Sequence, residues 1–133
     1  MYLARLSVEK RYLFRDLEII MSKIDGDFSP NEKLIIDTHC VEMHIDNNNY
    51  ESELSEDELL KKIEDGLNEN EQRIFFFELA ATVLADDVYH ESEKKLINKL
   101  SNVLKIDNDK VDDAFDIIND LKSVYARCES YIN

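Results

Sequence analysis

Apolar positions along this chain recur mainly at three- and four-residue steps, the period of an amphipathic α-helix. From Leu3 to Ile24, the residues Leu6, Leu13, Leu17, Ile20 and Ile24 share a side while Glu9, Lys10, Asp16 and Lys23 lie elsewhere. A first helix is predicted there, with Ser7 as its candidate N-cap. The pattern stops at Asp25-Gly26, and Gly is the residue that most easily takes the left-handed conformation ending many helices. Ser29-Pro30-Asn31-Glu32 then supplies an N-cap, a proline at the first helical position and a capping-box glutamate, which predicts a second helix to about His44. Its buried side is expected to use Leu34, Ile35, Thr38, Val41 and Met43 or Ile45.

The polar run Asp46 to Ser52 reads as a loop, and Ser55-Glu56-Asp57-Glu58 as a capping box opening a short helix with Leu59, Leu60, Ile63 and Leu67. Near Asn70 another helix begins. Between Ile74 and Ala85 apolar residues cover nearly every side, so this helix is expected to be surrounded by the others. A helix from about Glu91 to Leu104 carries Leu96, Ile97, Leu100, Val103 and Leu104 on one side. Asn108 or Asp109 is expected to cap a last helix to about Tyr131, striped by Val111, Ala114, Phe115, Ile118, Leu121, Tyr125 and Cys128.

Two stretches echo one another. DGDFSPNE (Asp25 to Glu32) and DDVYHESE (Asp86 to Glu93) each follow one apolar helical pattern and open the next. The same offset of 61 positions (86 − 25) pairs Phe14 with Phe75, Ile35 with Leu96, Ile36 with Ile97, Met43 with Leu104, Ile45 with Ile106 and Asp46 with Asp107, with Leu17 against Glu78 out of step. The fold expected is an all-α, single-domain bundle of about six to seven helices. It is built from two pseudo-repeated helix-hinge-helix units (about 7–46 and 70–107) related by a pseudo-twofold axis, a connector helix (55–67) and a C-terminal helix (109–131).

Composition agrees with helices, since 133 residues contain two Gly and one Pro. It also narrows the function. Thirty acidic residues against sixteen basic ones give a net charge of −14, which repels phosphate backbones and anionic membrane surfaces, so nucleic acid and membrane are not expected partners. The most apolar run is twelve residues, shorter than a bilayer span of roughly 20. Cys40 and Cys128 are far apart, no CxxC occurs, and no signal peptide opens the chain, so a cytoplasmic location with reduced thiols is expected. No phosphate loop, nucleophile elbow or Ser/His/Asp grouping is present, and a non-enzymatic protein is expected.

The hinges are the chemistry-bearing feature. Asp25 and Asp86 follow helix C-termini, where the macrodipole disfavours an anion and a cation would relieve it. With Glu32 and Glu93 they form a candidate metal site of four carboxylates, suited to a divalent ion of the Ca, Mg or Mn type. Helix punctuation is the competing account, because Glu32 is also the capping partner of Ser29 and Gly26 also a helix end. An EF-hand is excluded: its leading ligand positions hold Met21 and Lys23 in one copy, Thr82 and Leu84 in the other. His39, Cys40, Met43 and His44 form the soft-ligand cluster, but no zinc spacing completes it. Glu-x-x-His pairs, as a di-iron bundle requires, do not occur.

The residues Asp25, Gly26, Glu32, Glu42, Met43, Asp86 and Glu93 carry a resemblance to the TerB-like (tellurite resistance TerB) family over nearly the whole chain. Asp87, where the second hinge lacks Gly, and His44, where Gly is common, depart from the pattern. The resemblance implies a single helical domain with a metal site built from the acidic hinges, in a stress or tellurite-resistance setting. It also implies the alternative of a non-catalytic, co-chaperone-like adaptor, docking a protein with a basic or amphipathic surface.

Overall fold

The computed structural model describes residues 1–24, 26, 28–85 and 90–133. They form a 3-10 turn at Leu3–Arg5 and six α-helices: α1 (Val8–Lys23), α2 (Pro30–Met43), α3 (Glu56–Gly66), α4 (Glu69–Leu84), α5 (Glu91–Val103) and α6 (Asn108–Ile132). Among the described residues no strand occurs and no helix is long and apolar enough to cross a membrane. The architecture is an all-α bundle. α1 packs on α2 and α3, α4 packs on α5 and α6, and α3 also touches α5.

Helix starts follow local capping chemistry. Ser29 and Asn68 each accept from the backbone of the residue three on, and Glu32 and Glu71 return a carboxylate to the cap amide. Ser55 accepts from the Glu58 amide in the same way. α1 starts after Ser7, the expected N-cap position, although the Ser7 side chain makes no cap bond, and the 3-10 turn at Leu3–Arg5 precedes it. α6 begins after Asp107, one residue before the expected caps.

The ends of α2 and α5 share one backbone device. His44 and Lys105 both have φ 55°. The Ile45 amide donates to the Cys40 carbonyl and the Ile106 amide to the Ser101 carbonyl, each at close to 3 Å (3.1 and 2.9 Å). Such bonds from a left-handed residue satisfy carbonyls that the helix leaves over.

α4 sits at the centre. Ile74, Phe75, Phe76, Leu79, Ala80 and Val83 are buried, and Phe77, Ala81 and Leu84 pack against the core from its margins. Phe75 meets Phe14 of α1 edge-on at 5.3 Å between ring centres, which ties the two halves together. The apolar character on nearly every side, legible in the run from Ile74 to Ala85, thus becomes burial over most of the helix surface.

Of the side of α2 expected to be buried, Met43 is buried, but the rest of the buried side is a different one. Ile36, Cys40 and Met43 face inward, whereas Leu34 and Val41 are 62% and 74% exposed. Apolar residues lie on both sides of α2, so periodicity alone does not choose between them. The choice comes from its neighbours: Ile36 and Cys40 join Ile19 of α1, with Phe28, Ile45 and Tyr50 packed around them. The loop of residues 46–54 is pinned over this cluster. Arg15 donates to Asn47 Oδ1 (2.7 Å) and to the Asn49 carbonyl, Lys23 donates to the Tyr50 carbonyl, and the Tyr50 hydroxyl donates to Asp37 (2.7 Å).

Urea denaturation checks both assignments. Ile36→Ala is expected to cost about 2–5 kcal/mol and Phe75→Ala about 3–5 kcal/mol, as for other large-to-small core changes. Val41→Ala is expected to stay within about 0.5 kcal/mol. The reverse order for Ile36 and Val41 would return α2 to the side read from its sequence.

Candidate functional site

The hinge carboxylates are described only in part. Asp25 and Asp86 lie outside the described residues. Glu32 is engaged in helix capping: its Oε1 accepts from the Ser29 amide (3.2 Å) and hydroxyl (3.0 Å). Glu93 does the same job in α5, accepting from the His90 amide at 3.1 Å. The reciprocal half of the cap is therefore repeated even though Ser is replaced by His90. Capping is thus a role that Glu32 and Glu93 share. Among the described residues no group of three His, Cys, Asp or Glu side chains is gathered to hold a metal ion.

The soft-ligand candidates also separate. Met43 is fully buried in the main core, Cys40 is buried in the smaller cluster, and His44 is the exposed left-handed residue after α2. Burial pushes the Cys40 thiol up to about 11, with the Glu18 charge adding to it, so it is a packing group rather than a nucleophile.

His39 turns inward instead, against a buried carboxylate that the sequence reading did not single out. Glu18, on α1 between Leu17 and Ile19, is 1% exposed, and its Oε1 pairs with His39 Nδ1. Its Oε2 has no hydrogen-bond partner among the described residues. Nearby, Glu78 of α4 is 3% exposed and accepts from the Tyr2 amide at 2.6 Å, while Glu42 of α2 accepts from the Leu3 amide at 2.9 Å. The Met1 ammonium lies 3.0 Å from Glu78 and 3.2 Å from Glu42. These carboxylates receive the donors of the first three residues and seat Leu3 in the core. The sequence signal was an acid at an apolar register position, twice: Glu18 inside Leu17-Glu18-Ile19, and Glu78 inside the run Ile74 to Ala85.

The electrostatics follow from burial. Desolvation raises the Glu18 carboxyl from 4.5 to about 6, against the opposing pull of His39. For His39 burial acts to lower the pKa, but the Glu18 bond and the charges of Glu18, Glu78 and Glu42 outweigh it and raise the imidazole. The Met1 ammonium is raised in the same way, with Glu78 and Glu42 overcoming desolvation.

The second feature is an open groove of about 620 Å³ between α4, the start of α6 and the 3-10 turn. Ile74, Phe76, Phe77, Ile106, Ala114 and Ile117 supply its apolar wall. Arg5, Arg73, Lys105 and Lys110 stand around it with Glu69, Asp107 and Asp113. Four cations against three acids leave this patch at +1 on a chain of −14. Arg73 pairs with Glu69 at 2.6 Å and Arg5 lies over the Tyr2 ring, whereas Lys105 and Lys110 make no ion pair among the described residues. No protein-family model, curated protein or solved structure matches the chain.

The Glu18–His39 pair predicts a pH dependence of stability. Glu18 binds its proton more tightly folded than unfolded, so its contribution is complete below pH about 4.5 and is lost as pH rises through about 6. His39, also raised, contributes fully below about 6.5 and loses its contribution as pH rises through its folded value. Stability is therefore expected to fall from pH 5 to pH 8, with Glu18 accounting for about 1 kcal/mol of that fall. Calorimetry of Glu18→Gln should show a flatter Tm profile between pH 4.5 and 6.5. An unchanged slope would remove Glu18 as its cause.

Proposed function

We propose that this chain is a non-catalytic protein-interaction module whose groove between α4 and α6 receives an amphipathic helix with an acidic polar side. The groove is the observation that carries the reading. Its wall combines aromatic and branched residues of the central helix with Ile117, which is half exposed. Its rim collects Lys105 and Lys110, which make no ion pair among the described residues, on a chain of net charge −14, so a partner that is apolar on one side and acidic on the other gains from both.

Membership of the TerB-like group, with its two repeated helix-hinge-helix units and a setting of stress or tellurite resistance, is part of the same proposal. The element bounds support it: α1 (8–23) and α4 (69–84) are offset by 61 residues, as are the starts of α2 and α5 at 30 and 91. The left-handed residues His44 and Lys105 share that offset (105 − 44 = 61). A co-chaperone-like adaptor role accords with a groove that binds without chemistry.

The second reading is a divalent cation of the Ca, Mg or Mn type held by Asp25, Glu32, Asp86 and Glu93, and it rests on the echo of the hinges. Each of the two glutamates has one oxygen in a cap bond, which leaves the aspartates as the deciding residues.

One experiment separates them. Designed amphipathic helical peptides with acidic, neutral or basic polar sides are titrated against the protein by fluorescence anisotropy, with and without EDTA. Tightest binding of the acidic peptide is expected, unchanged by EDTA and weakened about tenfold or more by Phe77→Glu. Absence of binding to every peptide would end the groove reading. A melting temperature that rises with Ca²⁺, Mg²⁺ or Mn²⁺, and no longer does in Asp25→Asn with Asp86→Asn, would favour the metal reading instead.

A further inference from the structure

α6 is 25 residues long, about 37 Å, yet it buries only Ala114 and Ile118. From Asn119 onward none of its residues is buried. Its apolar spacing nevertheless continues: Ala114, Ile117, Leu121, Val124, Cys128 and Tyr131 follow at steps of three and four. Ile117 and Val124 are 50% and 49% exposed, and Tyr131 is 91% exposed. On a helix turning 100° per residue these positions form one stripe, set to the side of the strip that Ile118 turns into the core. Ala114 and Ile117, the first members, belong to the wall of the groove. Groove wall and stripe are one continuous apolar surface.

We infer that this stripe is the surface on which a second copy of the chain docks, the two α6 helices running antiparallel about a twofold axis. The inference rests on the groove reading and names the amphipathic helix: it is α6 of the second copy. Its register comes from complementarity. Setting Leu121 beside Val124 of the second copy places Ile117 beside its Cys128 and Ala114 beside its Tyr131. Larger side chains then meet smaller ones in each layer, as close packing of a helix pair requires.

The same register brings Asp120 beside Arg127 of the second copy, and by symmetry Arg127 beside its Asp120. Both residues are exposed, and neither is in an ion pair among the described residues. Two reciprocal ion pairs at the flank of an apolar seam are the usual device for choosing helix orientation. A parallel pairing offers no such match. It would set Asp120 beside Tyr125 and Arg127 beside Ile132, and stack Tyr131 on itself.

Sedimentation velocity over a concentration series tests the pairing on the full chain, with circular dichroism checking that each variant stays helical. A monomer–dimer equilibrium is expected, with Val124→Glu and Arg127→Glu each raising the dissociation constant about tenfold or more. The double variant Asp120→Arg with Arg127→Glu should recover most of the loss, because it restores opposite charges across the axis. A monomer at every concentration, or a dimer indifferent to Val124→Glu, overturns the inference. If the chain is monomeric yet still binds the acidic amphipathic peptide, the self-pairing falls while the module reading stands. If neither occurs, both fall.

Discussion

The architecture depends on one constraint: α4 is apolar on nearly every side and must be covered on every side. Phe75 is held by Phe14 of α1, and Phe76 stacks near Phe115 of α6. Leu79 and Ala80 are fully buried. Helices on both sides of α4 are thereby fixed to it by aromatic contact. Cover is thinner at the side of Phe77, where the groove opens between α4 and α6. An all-round apolar helix with one incompletely covered side is a natural docking surface.

Against that apolar requirement, two carboxylates are buried among the described residues, Glu18 and Glu78. An isolated buried charge is costly, and the fold meets the cost differently at each. Glu78 receives backbone donors from the first turn of the chain, which thereby becomes part of the core's polar wiring. Glu18 receives His39 but keeps one oxygen without a partner among the described residues. The outcome is a carboxyl that titrates near pH 6 beside an imidazole raised from its ordinary value, in the interior of a protein whose surface acids are largely solvated.

Much of the local structure was legible because it is decided locally. Ser29-Pro30 with Glu32, Ser55 with Glu58, and the stripes of α3 and α5 name their helices from neighbouring residues alone. The hinge glutamates show the limit of a motif. Glu32 and Glu93 recur for a shared reason that is visible in the structure as cap geometry. Asp25 and Asp86, the other half of the hinge echo, lie outside the described residues.

By itself, then, the sequence determined helix content, most helix starts, the central place of α4 and the acidic surface. These rest on spacing, capping and charge, which act within a few residues. Tertiary structure decided which side of α2 is buried, because apolar residues on both its sides left the choice to Ile19, Phe28 and Tyr50. It also decided that Glu18, His39, Glu42 and Glu78, on three different helices, share one neighbourhood with the chain's first residues. Finally, it decided that the stripe of α6 outruns the bundle that should cover it. A one-dimensional pattern records that a side is apolar, but only packing in three dimensions supplies or withholds the surface that meets it.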